Sequence, residues 1–142
     1  MSTNYTEHLG LTLWEADDPV LRTEFNANHE KLDARLGAMP RIAVGSYDGN
    51  GEFGEEHPKT LTFDFTPMMV VVVRDTQTAA DSGTLMIRGQ SKSAGFGHFE
   101  NSADSLQLHL DWLANGVSWY GKAPLKQFNL GGATYHYFAI GL

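Results

Sequence analysis

Hydrophobic and polar positions follow two different periods on either side of Pro40. Between residues 19 and 36 the apolar positions recur at helical spacing, which is typical of one face of an α-helix. After Pro40 apolar and polar residues alternate in short runs, separated by turns rich in Gly, Asn and Asp, which is typical of β-strands. The pattern predicts a mainly β protein. An N-terminal strip and a single α-helix occupy residues 1–39, and an antiparallel β-sandwich or jelly-roll-like knob occupies residues 40–142.

The predicted helix runs from Pro19 to Leu36. Asp18 is a good N-cap, Pro19 suits the first helical turn, and Gly37 supplies a C-terminal stop. The apolar stripe is narrow and includes a polar Asn, which is typical of a coiled-coil seam that sets the register between chains. We therefore expect the helix to associate with other copies of the chain; packing on the chain's own β-domain is the alternative. The stripe consists of Leu21, Phe25, Asn28, Leu32 and Leu36.

An extended strip with one apolar edge precedes the helix. It is too short to fold alone, so it either docks on another protein as an attachment segment or packs on the chain's own sheet or helix. Its apolar residues are Leu9, Leu11, Leu13 and Trp14.

The part after Pro40 contains several predicted strands. The run 68–73 is apolar without interruption, which predicts a strand buried on both faces and covered by a second sheet or by a neighbouring subunit. Residues 89–105, rich in Gly and Ser, predict one long loop. The predicted strands are Arg41–Tyr47, Thr60–Phe65, Met68–Arg74, Thr84–Arg88, Leu106–Leu113, Val117–Tyr120, Lys126–Leu130 and Thr134–Ile140.

Charge and composition exclude several classes of function. The 142 residues carry a net charge of −7, which argues against binding to nucleic acid or to an anionic membrane. There is no cysteine, so disulfides, thiolate metal sites and a cysteine nucleophile are excluded. We find no apolar segment long enough to span a bilayer and no signal peptide near the N-terminus, so release of the protein from a cell would follow another route, such as lysis.

Motifs for metal binding and catalysis are weak. The loop 48–52 has oxygen ligands at alternate positions, but Phe53 and Lys59 depart from the calcium-loop pattern, which favours a hairpin tip. Six histidines are scattered without metal-ligand spacing; His109 and His136 lie on predicted strands, where a trimer would present each three times. We expect no metal, no cofactor and no catalytic residue, and therefore a protein that is not an enzyme.

Aromatic residues in the late strands are candidates for sugar binding, because sugar recognition uses flat ring faces with amides and carboxylates nearby. The alternative is that these rings fill the core, as large aromatic side chains usually do. Asn115, Gln127 and Asn129 lie close to them in sequence. The candidates are Trp119, Tyr120, Tyr135 and Tyr137.

Short motifs distributed over most of the chain resemble those of a known group of proteins. The N-terminal part contains HLGL at 8–11, WE at 14–15, DP at 18–19, FN at 25–26, KLD at 31–33 and LG at 36–37. The β part contains VGSYDGNG at 44–51, PKTLTF at 58–63, FTP at 65–67, VVV at 70–72 and TYHYFAIG at 134–141. Together these motifs resemble tail-fibre and appendage proteins of phages and prophages of Gram-positive gut bacteria; residues 76–105 are not matched.

The resemblance implies a homotrimeric virion protein, assembled in the host cytoplasm and released by lysis. Its N-terminal segment would attach to other virion proteins, and its β-knob would face outward and bind glycans of the host surface. No binding residue is carried over by a motif. One alternative is a purely structural virion component, such as a head-decorating or collar fibre without a ligand. The second is a small carbohydrate-active enzyme, whose two acids would come from Asp64, Asp75, Asp104 and Asp111.

Overall fold

The structure is a computed structural model that describes residues 2–75, 82–97 and 107–142. Contacts within the chain divide it into two compact units, Met1–Met39 and Pro40–Leu142, and each is described by itself. The described residues form one α-helix and ten β-strands, and every paired strand is antiparallel. The prediction of a mainly β protein with a single helix and antiparallel sheets is confirmed.

The unit Met1–Met39 is a short hairpin held against a helix. Strands β1 (Asn4–Tyr5) and β2 (Thr12–Leu13) pair with each other, and α1 covers Arg22–Gly37. The Asn28 side chain on α1 bonds to the backbone of Thr12 much as a neighbouring strand would. Its Oδ1 accepts from the Thr12 N–H at 2.8 Å, and its Nδ2 donates to the Thr12 carbonyl at 3.1 Å. One amide side chain therefore joins the hairpin to the helix.

The helix begins later than the sequence predicts. Its N-cap is Leu21, whose backbone is extended and whose side chain makes no capping bond. Asp18 closes a preceding turn instead, because its Oδ2 accepts from the Glu15 N–H at 3.0 Å and its own N–H donates to the Glu15 carbonyl at 3.1 Å. The prediction of Asp18 as N-cap is therefore wrong. Gly37 is the last helical residue and Ala38 is the C-cap, one position beyond the predicted end.

The unit Pro40–Leu142 contains two antiparallel sheets. The five-stranded sheet has the order β3-β10-β5-β6-β7, and the three-stranded sheet has the order β4-β9-β8. The strands are β3 (Arg41–Asp48), β4 (Lys59–Thr62), β5 (Pro67–Arg74), β6 (Ser82–Ile87), β7 (Ala94–Gly97), β8 (His109–Leu113), β9 (Gly116–Tyr120) and β10 (Thr134–Gly141).

Both sheets contribute to one hydrophobic core. Val70 and Val72 of β5 meet Val117 and Trp119 of β9 in a single buried cluster, and the ring of Trp119 is fully buried. The Trp119 indole N–H is satisfied by the Gln127 carbonyl at 2.8 Å, as a buried indole requires. Two sheets that share a core in this way are consistent with a β-sandwich.

Residues 126–130 form a turn rather than the predicted strand. The Gln127 N–H donates to the Ala123 carbonyl and the Asn129 N–H to the Pro124 carbonyl, while Phe128 has a positive φ of 57°. The apolar and polar residues of this turn alternate for a different reason. Phe128 packs in the core, while the amide side chains of Gln127 and Asn129 bond to backbone groups, as described below.

Two further strand predictions also change. β7 lies inside the segment predicted as one loop, 89–105, of which residues 98–105 lie outside the described residues, as does Leu106 at the start of a predicted strand. In β5 only one face is fully buried: Val70 and Val72 point inward, while Met69 and Val71 are half-buried on the other face. Within a single copy the second face is therefore not fully covered in the described part of the chain, and the prediction of its cover by a second sheet is wrong; cover by a neighbouring subunit stays a prediction.

Candidate functional site

An open pocket lies beside the edge of the three-stranded sheet. Its volume is about 380 Å³, which is within the range of small-molecule binding sites. Strands β8 and β9 supply two rings of its lining, and four other segments supply charged and polar groups. The lining residues are Gly54, Glu55, Lys92, Gln107, His109, Tyr120, Gly121 and Lys122.

The floor of the pocket is a pair of stacked rings. His109 of β8 lies directly opposite Tyr120 of β9 in the strand register, and directly opposed side chains on one face of a sheet are in contact. The ring centroids are 4.7 Å apart and the planes are inclined by 24°. We call these two rings the aromatic platform. Both remain partly exposed, so a ligand can lie against them.

Charged groups surround the aromatic platform. The segment around Lys92 runs along the edge of β8, because Lys92 forms a backbone bridge with His109 and the Leu110 N–H donates to the Ser91 carbonyl at 2.9 Å. Lys92 therefore lies at the pocket because of a backbone pairing. Lys122 follows β9 on another wall, and Glu55 lies on a third. The pocket thus offers two ammonium groups and one carboxylate next to an aromatic surface.

The hydroxyl of Tyr120 keeps its proton across the neutral range. Desolvation raises the pKa of Tyr120 above its ordinary value, and the Glu55 and Asp111 carboxylates raise it further. The hydroxyl therefore remains a hydrogen-bond donor as well as an acceptor. Asp111 also lies 3.6 Å from the His109 ring, between its Oδ1 and the histidine Nε2.

The buried amide of Gln127 holds two walls of the pocket in place. Its Oε1 accepts from the Gly54 N–H at 2.8 Å and from the Gly121 N–H at 3.0 Å. Its Nε2 donates to the His57 carbonyl at 2.8 Å. Glu55 and Lys122 each follow one of these anchored glycines. Gln127 is thus a positioning residue for the pocket. The sequence placed it near the aromatic candidates but did not predict this role, because two of its three bonding partners, Gly54 and His57, are distant in sequence.

Asn129 acts in the same way on the turn at 48–52. Its Nδ2 donates to the Asn50 Oδ1 and to the Glu52 carbonyl, the latter at 2.9 Å, and its Oδ1 accepts from the Asn50 N–H. Asp48 accepts from the Thr134 hydroxyl at 2.8 Å. The oxygen groups of this loop thus bond within the fold. The strands on either side of the loop, β3 and β4, pair with β10 and β9 in different sheets, so the prediction of a hairpin tip is wrong. In residues 2–75, 82–97 and 107–142, no group of three or more potential metal-ligating side chains is found.

The four predicted sugar-binding aromatic residues separate into core and surface positions. Trp119 and Tyr135 are fully buried, which corrects their prediction as binding residues, since a buried ring cannot stack on a ligand. Tyr137 packs against the core, with its ring 6.0 Å from that of Phe63. Of the four, Tyr120 lines the pocket.

The predicted oligomerisation stripe is exposed. The side chains of Leu21, Phe25, Leu32 and Leu36 are all accessible, and no residue of α1 is buried. Asn28 lies half-buried, and its amide is used within the chain by Thr12. The apolar part of the stripe is available for contact with another molecule, and association through it stays a prediction.

The attachment strip is partly covered by its own unit. Leu9, Leu11 and Trp14 are half-buried, and the Trp14 indole N–H donates to the Glu24 carboxylate on α1 at 3.0 Å. Leu13 is exposed. The alternative in which the strip packs on the helix of its own chain therefore describes much of it, and Leu13 is its most accessible apolar side chain.

The acids considered for glycoside hydrolysis lie in separate contacts. Asp64 pairs with Arg41 at 3.1 Å, Asp75 approaches His136 at 3.3 Å, and Asp111 approaches His109. Asp104 lies outside the described residues.

Comparison with protein-family models, with curated proteins and with solved structures found no significant match. Within the described ranges, none of the helical structure is both long and apolar enough to cross a membrane.

Proposed function

We propose that this chain is a phage virion appendage protein that attaches through residues 1–39 to other virion proteins and presents its β-domain as a knob that binds glycans of the host surface. The proposal includes a homotrimer, a jelly-roll-like knob, and release of the virion by host lysis. It is supported by the motifs that resemble tail-fibre proteins and by a β-domain that carries an open pocket on its surface.

The aromatic platform is the observation that carries the glycan-binding part. The C–H-rich face of a sugar ring packs on the flat face of an aromatic ring, while its hydroxyls bond to the polar groups around the edge. His109 and Tyr120 supply the flat faces, and Glu55, Lys92 and Lys122 supply acceptors and donors. A pocket of about 380 Å³ has room for one or two sugar residues.

The test is binding of purified host-wall polysaccharide and of a glycan array by the full chain and its Tyr120→Ala variant. We expect the variant to bind about fivefold more weakly, since an aromatic contact contributes on the order of 1 kcal/mol. Tyr120→Phe keeps the ring and should lose less. Tyr5→Ala, a change of an exposed tyrosine in the other unit, is the matched control. Equal binding by the wild type and Tyr120→Ala would contradict the assignment of the pocket.

A purely structural virion component without a ligand is the second candidate. It is favoured by the exposed apolar residues of α1 and of the five-stranded sheet, since large exposed apolar patches are typical of contacts between proteins. Binding assays with host cells and glycans distinguish the two candidates. The structural component would bind neither host cells nor any glycan, and it would still be incorporated into particles.

A further inference from the structure

The face of the five-stranded sheet that points away from the core carries apolar residues on all five strands, beside a polar end formed by Ser46, Asp48, Thr134 and His136. Side chains alternate between faces along a strand, so the partners of the buried residues form this second face. In register across all five strands it carries one continuous apolar row. In strand order, the row is Val44, Phe138, Val71, Leu85 and Ala94.

A second apolar row lies beside the first. In register it crosses β3, β10, β5 and β6, and its members are Ile42, Ile140, Met69 and Ile87. On the other side of the first row, the Phe96 ring lies over Gly83, where a Cβ would come within 2.3 Å of the ring. These two rows and Phe96 are called the outer apolar face.

The area of the outer apolar face is that of a protein interface. Its most accessible residues are Val44 (73% exposed), Ile42 (61%), Ile87 (47%), Phe96 (47%) and Phe138 (36%). Taking about 150–200 Å² for a fully exposed residue of this size, these five contribute about 500 Å². Burial of these five residues on two copies at once would remove about 1,000 Å², which reaches the lower bound for a biological protein–protein interface; the half-buried members of the two rows add to it.

The two apolar rows differ from the surface around them in having no charged residues. The two apolar rows contain no Asp, Glu, Lys or Arg, in a chain of net charge −7. The outer side of the three-stranded sheet is different, since Asp111 lies opposite Ser118 there, and Ser118 bonds to Thr60. Two copies of an acidic chain repel each other, and contact through the uncharged face brings the fewest like charges together.

The shape of the outer apolar face is self-complementary. At one end, Ile42 and Val44 of the edge strand β3 protrude into solvent. At the other end, a groove of about 230 Å³ lies at the connection between β6 and β7; Leu85, Ile87 and Ala94 supply its apolar lining, and Gln90, Lys92 and Ser93 its polar lining. A protruding edge and a groove on one face allow β3 of one copy to lie in the groove of another.

We infer that the outer apolar face is an interface between two copies of this chain that meet face to face, with β3 of each copy packed on the β6–β7 groove of the other. The inference goes beyond the contact assigned to the α1 stripe, and it holds whether or not the pocket binds a glycan. Packing of sheet on sheet at about 10 Å would bury both rows, as in the core of a sandwich.

The test is the mass of the full chain over a range of concentrations, by sedimentation velocity, for the wild type and Val44→Glu. We expect the wild type to associate. The dissociation constant of the variant should be at least tenfold higher, because its carboxylate would enter an apolar contact. Leu113→Glu, on the three-stranded sheet, is the matched control, since Leu113 is exposed as well. Leu36→Glu, on α1, tests the contribution of the helix stripe to association. Circular dichroism checks folding, and Val44→Ser replaces Val44→Glu if the latter does not fold.

A mixing experiment tests the arrangement itself. Ile87→Lys should also weaken association, and an equimolar mixture of Val44→Glu and Ile87→Lys should associate more strongly than either variant alone. A monomeric wild type, or association that Val44→Glu leaves unchanged, would overturn the inference. Dissociation by Leu36→Glu alone would assign assembly to the helix, which overturns this inference and leaves the proposed function standing. Glycan binding by a monomeric wild type would overturn this inference and the proposed homotrimer, and it would leave the glycan-binding part of the proposed function standing.

Discussion

Replacement of Gln127 by Ala should destabilise the β-domain more than any change on its surface. The side chain is fully buried and makes three hydrogen bonds, with the Gly54 N–H, the Gly121 N–H and the His57 carbonyl. Truncation leaves all three backbone groups without this partner, and each buried group left unsatisfied costs about 1–3 kcal/mol. Allowing for relaxation and entry of water, we expect a loss of about 3–5 kcal/mol in the free energy of unfolding.

A loss of this size would be a large part of the total stability, which is about 5–15 kcal/mol for a domain. The assay is urea denaturation followed by tryptophan fluorescence, because Trp119 is buried beside Gln127 and reports on unfolding of this region. Gln90→Ala, at an exposed position, is the matched control and should stay within about 0.5 kcal/mol of the wild type.

The same variant should weaken glycan binding, because the residues that follow the two anchored glycines line the pocket. A Gln127→Ala protein within 0.5 kcal/mol of the wild type would refute the reasoning, since it would mean that water replaces the amide at no cost. Gln127→Glu distinguishes the bonds. It keeps an acceptor for the two N–H groups and places a carboxylate against the His57 carbonyl, so its stability should rise as pH falls and the acid is protonated.

Two further predictions concern other parts of the chain. Asn28→Ala should separate the hairpin from the helix, with faster hydrogen exchange at the Thr12 amide and about 1–2 kcal/mol less protection there; unchanged exchange would show that the hairpin is held by other contacts. Desolvation, with a smaller effect of Tyr135, raises the pKa of Tyr47 far above its ordinary value of 10.0, so the folded state keeps the phenol proton after the unfolded state has lost it. Stability should therefore be complete below pH 10 and fall as pH rises above it, and Tyr47→Phe should make this fall less steep in pH-dependent denaturation; an equally steep fall would assign it to other groups.

Local elements of this protein were predictable because their signals are local. The helix follows from a repeat of apolar positions, and most strands follow from alternation between turn residues. Two errors occur where a polar side chain bonds to a group that the local pattern does not reveal, one nearby and one far along the chain. Asp18 suits a helix cap, but its carboxylate closes the preceding turn. Residues 126–130 alternate like a strand, yet the amides of Gln127 and Asn129 bond to backbone groups more than 70 positions away.

The sequence by itself determined that a helix precedes a β-domain and that the late strands are rich in aromatic residues. Only the tertiary structure decided the role of each ring. Trp119 and Tyr120 are neighbours on one strand and must point to opposite faces, but the pairing of the sheets decides which face is buried. The register of β8 with β9 then places His109 against Tyr120, and a backbone bridge brings Lys92 to the same place. The pocket depends on contacts between segments far apart in the chain, and such contacts leave no periodic pattern in the sequence.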